Sequence, residues 1–159
     1  MTGDSQTEHN TTTMENSPQT ELTVVWNDAR ELFHLTDFLE NLWKEWKLVP
    51  DLFPSVNQAV DTLFLAIVSH AFDDEETHMI GIGAKLEGDE LTIVLKDGGK
   101  PFNPLLLVNK STDRSAAVFP ADSPDLSIIR QTMDQVSYER KNDKNLLTMV
   151  KRLQTRDDG

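Results

Sequence analysis

Residues 91–104 read LTIVLKDGGKPFNP, a β-branched run that stops at Asp97 and gives way at once to a loop holding two glycines and two prolines. The run has strand composition. Just upstream, residues 79–86 (MIGIGAKL) have the same character, and Glu87, Gly88, Asp89 and Glu90 lie between them. Two such runs around a short polar, glycine-bearing link predict a β-hairpin. The loop Asp97–Pro104 therefore leaves the end of a hairpin strand. A DGG tripeptide alone is a common turn; Phe102, Pro104 and the preceding strand make this stretch more specific.

Working toward the amino terminus, the segment Ser55–Phe72 is apolar nearly all round through AVDTLFLAIV, so a helix there should be buried against more than one neighbour. The acidic cluster Asp73–Glu76 ends it and reads as a solvated turn. Across Ala29–Leu48, the residues Leu32, Phe33, Leu35, Leu39, Leu42, Trp43 and Trp46 recur at helical spacings and predict an amphipathic helix, capped by Asn27 or Asp28 and closed by Pro50 and Pro54. Before it, ELTVVW at Glu21–Trp26 reads as a strand. Residues 1–20 are polar, with too few apolar side chains to offset the entropy of ordering, and are expected to form a disordered tail.

Toward the carboxyl terminus, Asn109–Ser123 has the mixed composition of a long surface loop or lid. Pro124 suits the first turn of a helix running to about Asp134. VSYERK and NLLTMVKRL, split by Asn142, Asp143 and Lys144, predict a closing hairpin, and residues 154–159 a second disordered tail. One domain over residues 21–153 follows. The order strand, helix, helix, two strands, helix, two strands implies an α/β (α+β) two-layer sandwich, its mixed, mostly antiparallel sheet covered by helices on one face.

The 159 residues, 38% of them hydrophobic, are enough for one core and short for two. A formal charge of -12 sets long-range repulsion against nucleic acid and anionic membrane, and leaves a protein partner or a metal-chelated nucleotide as the better fit. The absence of cysteine excludes disulfides, thiolate metal sites and cysteine nucleophiles, and cytoplasm is the expected compartment. The amino terminus lacks the features of an export signal, and no apolar run reaches the roughly 20 residues of a membrane span.

The element order, with Asp97, Gly99, Phe102 and Pro104 spaced as Asp-x-Gly-x-x-Phe-x-Pro, resembles the ATP-binding domain of the bacterial anti-sigma-factor serine kinases, a GHKL domain of Bergerat fold. NLLTMVKRL resembles that family's last strand, Asn-x-Leu-x-Leu-x-Lys; its residues read as structural, since alternation on a closing strand follows from core burial. His70, Ala71 and Phe72 match the end of the family's Glu-x-x-x-Asn-x-x-x-His helix. The resemblance implies ATP as the cofactor, with Asp97 accepting the adenine amino group, Gly99 letting the backbone approach the ring, and Phe102 and His70 nearby. A histidine in His70's place is ordinarily a hydrogen-bonded structural residue, and His34 and His78 form no metal-ligand spacing with it.

Other positions depart from the pattern. Thr62 stands where the resemblance implies the general-base Glu, and Ala66 where it implies the magnesium-binding Asn. Residues four apart share a helix face, so the two losses fall at one place. A hydroxyl is no base near neutral pH, and a methyl offers Mg²⁺ no oxygen. Asp61 adjoins Thr62 but points about a quarter-turn away. The glycine-rich phosphate turn aligns with ADSPDLSIIR, which has no glycine; Pro124 removes a donor, Asp122 and Asp125 oppose a triphosphate, and Ser123 and Asp125 suit an ordinary helix start.

Two functions are implied. One is a serine-kinase-like anti-sigma factor that switches protein partners by docking, with a degenerate site where ATP binds weakly and Mg²⁺ finds no ligand. The other is an active Mg-ATP-dependent serine-protein kinase. The partners implied are a sigma factor or an anti-sigma-factor antagonist, with a homodimer among the assemblies, and neither nucleic acid nor membrane. Arg30 is a candidate contact; the spacing of Trp43 and Trp46 suits core. A third, unrelated reading is a small ligand-binding α/β domain with a coincidental loop, which would lack a helix pair over the sheet.

Overall fold

A computed structural model describes residues 19–106 and 127–153. Five strands form one sheet of order β1-β2-β3-β5-β4: β1 (Gln19–Trp26), β2 (Met79–Glu87), β3 (Glu90–Asp97), β4 (Gln135–Lys141) and β5 (Lys144–Arg152). Every ladder is antiparallel, so the mixed sheet expected from the sequence has no parallel pair among the described residues. The β2–β3 and β4–β5 hairpins fall where the turn residues predict them. Asn142 and Asp143 both take positive φ, 54° and 63°, as a two-residue primed turn requires.

Strand β1 begins at Gln19, two residues earlier than composition predicts. Gln19 and Thr20 are exposed, but their backbone pairs with Leu86 and Lys85, and the ladder overrides the polar side chains. The rest of the expected amino-terminal tail, the expected tail 154–159 and the expected lid at 109–123 lie outside the described residues, as do Asp122–Asp125.

Two helices cover one face of the sheet. The amphipathic stretch divides into a 3-10 turn at Ala29–Glu31, capped by the Asp28 carboxylate, and α1 at Leu32–Glu45. The helix stops short of Leu48 because Lys47 turns left-handed at φ 53° and Leu48 N–H bonds back to the Trp43 carbonyl at 3.0 Å, a closure typical of helix ends. Leu35, Leu39, Leu42 and Trp43 are buried. Trp43 also donates its indole N–H to the Val49 carbonyl at 2.8 Å and packs edge-on to Phe53 at 5.3 Å. Trp46 is half-buried against the same core. Phe33 departs from the predicted stripe and is 62% exposed.

The second helix, α2 (Phe53–His70), starts two residues early through a 3-10 turn at Pro50–Leu52, with Pro54 in its first turn. Residues 50–70 are long and apolar enough to cross a membrane by length and composition, contrary to expectation. In the fold this is the core helix, with Val56, Ala59, Val60, Leu63, Phe64, Ala66 and Ile67 fully buried. A short α3 (Ser127–Thr132) packs on α2. It ends before Asp134, whose carboxylate instead accepts the Arg152 N–H at 2.6 Å.

Val25, Ile80, Ile82, Ile93, Leu95, Leu147 and Met149 line the sheet face under the helices. On the opposite face Leu22, Val24 and Trp26 of edge strand β1 and Met79 of β2 stay exposed. Residues i and i+2 on a strand share a face, so these apolar side chains form a continuous stripe.

Candidate functional site

Three elements converge where β3 ends. Asp97 is its last residue, paired with Ile80 on β2 and Asn145 on β5, and is only 2% exposed. Its Oδ1 accepts the Gly99 N–H at 2.8 Å and the Asn145 amide at 2.9 Å. Its Oδ2 is buried without a hydrogen-bond partner among the described residues. A buried acceptor left unpaired costs free energy, which marks Oδ2 as an atom of this cluster with unmet hydrogen-bonding capacity.

The loop that follows is fastened to the end of α2. Lys100 N–H donates to the Ala71 carbonyl at 2.9 Å, and the Lys100 ammonium reaches Asp73 at 2.8 Å. A Cβ on Gly99 would lie 2.3 Å from that same Ala71 carbonyl oxygen. Glycine is thus required by a contact inside the protein, a constraint not seen in the sequence, where an approaching ring accounted for it. Further along, the Phe102 ring lies 5.2 Å from the His70 ring, tilted by 33°, and Pro104 is buried.

The closing hairpin supplies the third side. Asn145, 1% exposed, donates to Asp97 and also to the Lys100 carbonyl at 2.8 Å. Its side-chain oxygen accepts the Tyr138 hydroxyl at 2.5 Å, and the Phe102 N–H and Arg140 guanidinium at 3.2 Å each. Arg140 also caps the Gly99 carbonyl at 2.8 Å. The residues singled out in the sequence, Asp97, Gly99, Phe102 and His70, therefore meet around one loop, joined by Asn145, Tyr138 and Arg140. The sequence placed Asn145 in a structural strand motif; only the pairing register puts it against Asp97.

The expected metal and base positions look different. The Thr62 hydroxyl donates to the Gln58 carbonyl at 2.8 Å, back along its own helix. Ala66 has no exposure at all and sits in the apolar core. The Ala66 methyl offers no oxygen to Mg²⁺, which takes a near-octahedral oxygen shell, and the Thr62 hydroxyl is no base near neutral pH, so these residues do not fit the metal and base roles. Asp61, beside Thr62, is half-buried; burial pushes its carboxyl up to about 6. Its Oδ1 and the Oδ1 of Asn57, one turn earlier on the same helix face, are both buried without a partner among the described residues.

The other two described histidines take separate partners. His34 contacts Glu31; His78 meets Asp74 at 2.7 Å and stacks on Phe72 at 4.4 Å, and the His78 hydrogen bond lowers the Asp74 carboxyl. Arg30, almost wholly exposed, forks Asp28 with its closest contact at 2.6 Å and holds that carboxyl at about 2. Both belong to an open cleft of about 670 Å³ whose lining includes Trp26, Phe33, Asp74 and Glu76.

The helix pair over the sheet agrees with comparisons to known proteins. The profile of the histidine kinase-like ATPase domain matches residues 25–151. The fold is shared with the solved RsbU and RsbW domains of Rv1364c from Mycobacterium tuberculosis, at TM-score 0.61 and 12% identity over 85% of this chain; the chain spans 32% of that structure's length. The Acinetobacter baumannii histidine kinase AdeS aligns at TM-score 0.47 and 13% identity, covering 85% of this chain and 70% of that one. No curated protein sequence matches. With the profile spanning β1 to β5 and the loop after Asp97 in place, the chain belongs to the histidine kinase-like ATPase domain family.

Proposed function

We propose that this domain is an anti-sigma-factor, serine-kinase-like regulator that switches protein partners by docking, with an ATP site keeping its adenine end and lacking its metal and phosphate end. The observation that carries this is the contrast along α2 and its neighbouring loop. At one end Asp97 Oδ2 is buried with no hydrogen-bond partner among the described residues; at the other, Ala66 is sealed in the core and the Thr62 hydroxyl donates to Gln58. Phosphoryl transfer rests on metal and positioned charge, and those positions supply neither. The loop glycines missing from Ala121–Arg130 argue the same way from the sequence.

Docking is supported by the exposed stripe Leu22, Val24, Trp26 and Met79 and by the cleft beside Trp26 and Phe33, since contiguous exposed apolar surface marks interaction sites. A sigma factor or its antagonist is the partner class, with a second copy of the chain as a further occupant; the net charge of -12 disfavours nucleic acid and anionic membrane. A cytoplasmic setting goes with this role.

One observation favours an active kinase instead: Asp61 adjoins Thr62 and its carboxyl sits at about 6, a range suited to a base. Calorimetric titration with ATP, with and without Mg²⁺, and a phosphorylation assay on a co-purified partner separate the two. Metal-independent, weak binding without transfer supports the docking role. Transfer that disappears in Asp61→Asn would replace it with the kinase.

A further inference from the structure

Two glycines stand two residues apart on the helix-free face of β2. Gly81 and Gly83 alternate with Ile80, Ile82 and Ala84, which are buried under the helices. Neither glycine takes positive φ, and a Cβ on Gly81 would meet nothing nearer than the Lys96 carbonyl, at 3.9 Å. Glycine in mid-strand weakens a sheet and marks places where a ligand or another backbone comes close. The missing side chains leave a trough of about 280 Å³ between Leu22 and Val24 of β1 and Val94 and Lys96 of β3. Leu22 and Val24 share their strand face with Trp26, and Trp26 lines the neighbouring cleft, so trough and cleft form one surface. Beyond Trp26 its character changes. The cleft adds the exposed Phe33 and the carboxylates of Asp28, Glu31, Asp74, Glu75 and Glu76 against one guanidinium, Arg30. Asp28, Glu31 and Asp74 are paired with Arg30, His34 and His78; Glu75 and Glu76 form no ion pair among the described residues.

We infer that this surface takes a basic amphipathic helix of a protein partner. Its apolar side chains enter the glycine trough and lie along Leu22, Val24 and Trp26, and an arginine or lysine reaches the cleft. An amphipathic helix in a groove is held by apolar anchors on one face, and a guanidinium gains from the aromatic rings of Trp26 and Phe33 as well as from the Glu75 and Glu76 carboxylates. The Lys96 ammonium at the trough and the carboxylates at the cleft fix which end of the segment goes where. A second copy of the chain would bring the same formal charge of -12 against this surface, which favours a cationic partner over self-association. The inference rests on the docking role proposed above and adds the chemistry of the docked segment.

The test titrates the 159-residue chain against a labelled synthetic helix of about 18 residues, with leucines along one face and arginines along the other, read by fluorescence anisotropy and amide shifts. The same peptide with glutamates for arginines runs beside it. Wild type should bind the arginine peptide at least about tenfold more tightly, with shifts at residues 22–26, 33 and 74–83. Gly81→Val fills the trough with a strand-favouring side chain; it should weaken that peptide about tenfold while the unfolding midpoint holds or rises. Should that variant not fold, Phe33→Ala, at an exposed ring, should weaken it about threefold. Glu75→Lys should weaken it about fivefold, and Glu139→Lys, on the far edge strand β4, less than about twofold. Equal losses in those two lysine variants would show that only net charge is read and would overturn the site. Tighter binding of the glutamate peptide, binding of neither peptide, or shifts at these same residues on diluting the protein alone, as a dimer gives, would overturn it too. The docking role itself fails through phosphoryl transfer in the assay above, a result separate from these affinities.

Discussion

Replacing Ala66 by asparagine, the magnesium ligand that the resemblance to the anti-sigma-factor serine kinases implies there, should damage the fold and leave metal binding unrestored. Ala66 is 0% exposed, as are Ala59, Leu63 and Ile67 on the same helix, so an added carboxamide has no open pocket to enter. Overpacking a filled core costs about 1–3 kcal/mol. A buried amide without partners adds about 1–3 kcal/mol. With partial relaxation the sum is about 3 kcal/mol, a large share of the stability of a domain this size. Urea unfolding at constant m reads the loss directly as a shift in midpoint. A loss below about 1 kcal/mol, or the appearance of Mg²⁺-dependent ATP binding in Ala66→Asn, would refute the reasoning: position 66 would then face a cavity.

Further outcomes follow from the same contacts. Gly99→Ala places a methyl 2.3 Å from the Ala71 carbonyl oxygen and should cost about 3 kcal/mol in denaturant unfolding, because the loop must move and its hydrogen bonds to Ala71 and Arg140 weaken; a near-neutral change contradicts the docking of this loop. Asp61→Asn should stabilise the protein above its folded pKa of about 6. Its raised carboxyl adds stability below the unfolded value of 3.8, and that stability is lost as pH rises toward about 6. The full shift is about 3 kcal/mol, cut to about 1 kcal/mol by the half-exposed setting, so melting curves of the two proteins should converge in acid and separate at neutral pH. Lys100→Ala removes the exposed pair with Asp73 and should change the midpoint by less than about 1 kcal/mol; a larger loss would assign the loop's anchoring to that pair in place of the Ala71 contact.

Much of the fold was legible because its signals are local. The alternation in residues 79–97 and the turn at Asn142 and Asp143 set both hairpins, and the periodic leucines of α1 set its buried face. The boundaries that shifted did so for tertiary reasons. Gln19 and Thr20 are strand because β2 pairs with them, and α1 ends early because Lys47 turns left-handed, which no composition announces. Phe33 has helical spacing yet faces the cleft beside Trp26.

The site was legible in part. Asp97, Gly99 and Phe102 carry a spacing that can be recognised, and His70 meets Phe102 as one cluster. Asn145 sits 48 residues from Asp97, and only the β3–β5 register joins them, so its role could not be read from a strand motif that burial already explains. The glycine at 99 was attributed to a ligand, whereas its steric demand comes from the end of α2. The desolvation of Asp61 depends on what packs around α2, and helical geometry alone gave only its direction.

On the proposed function, adenine recognition persists without the metal and phosphate machinery. An ATP titration of the 159-residue chain, followed at each backbone amide with and without Mg²⁺, decides this. The expected result is weak binding whose shifts center on residues 97–102, His70 and Asn145, with an affinity unchanged by the metal. Tight binding that requires Mg²⁺, with shifts reaching Thr62 and Ala66, would contradict it.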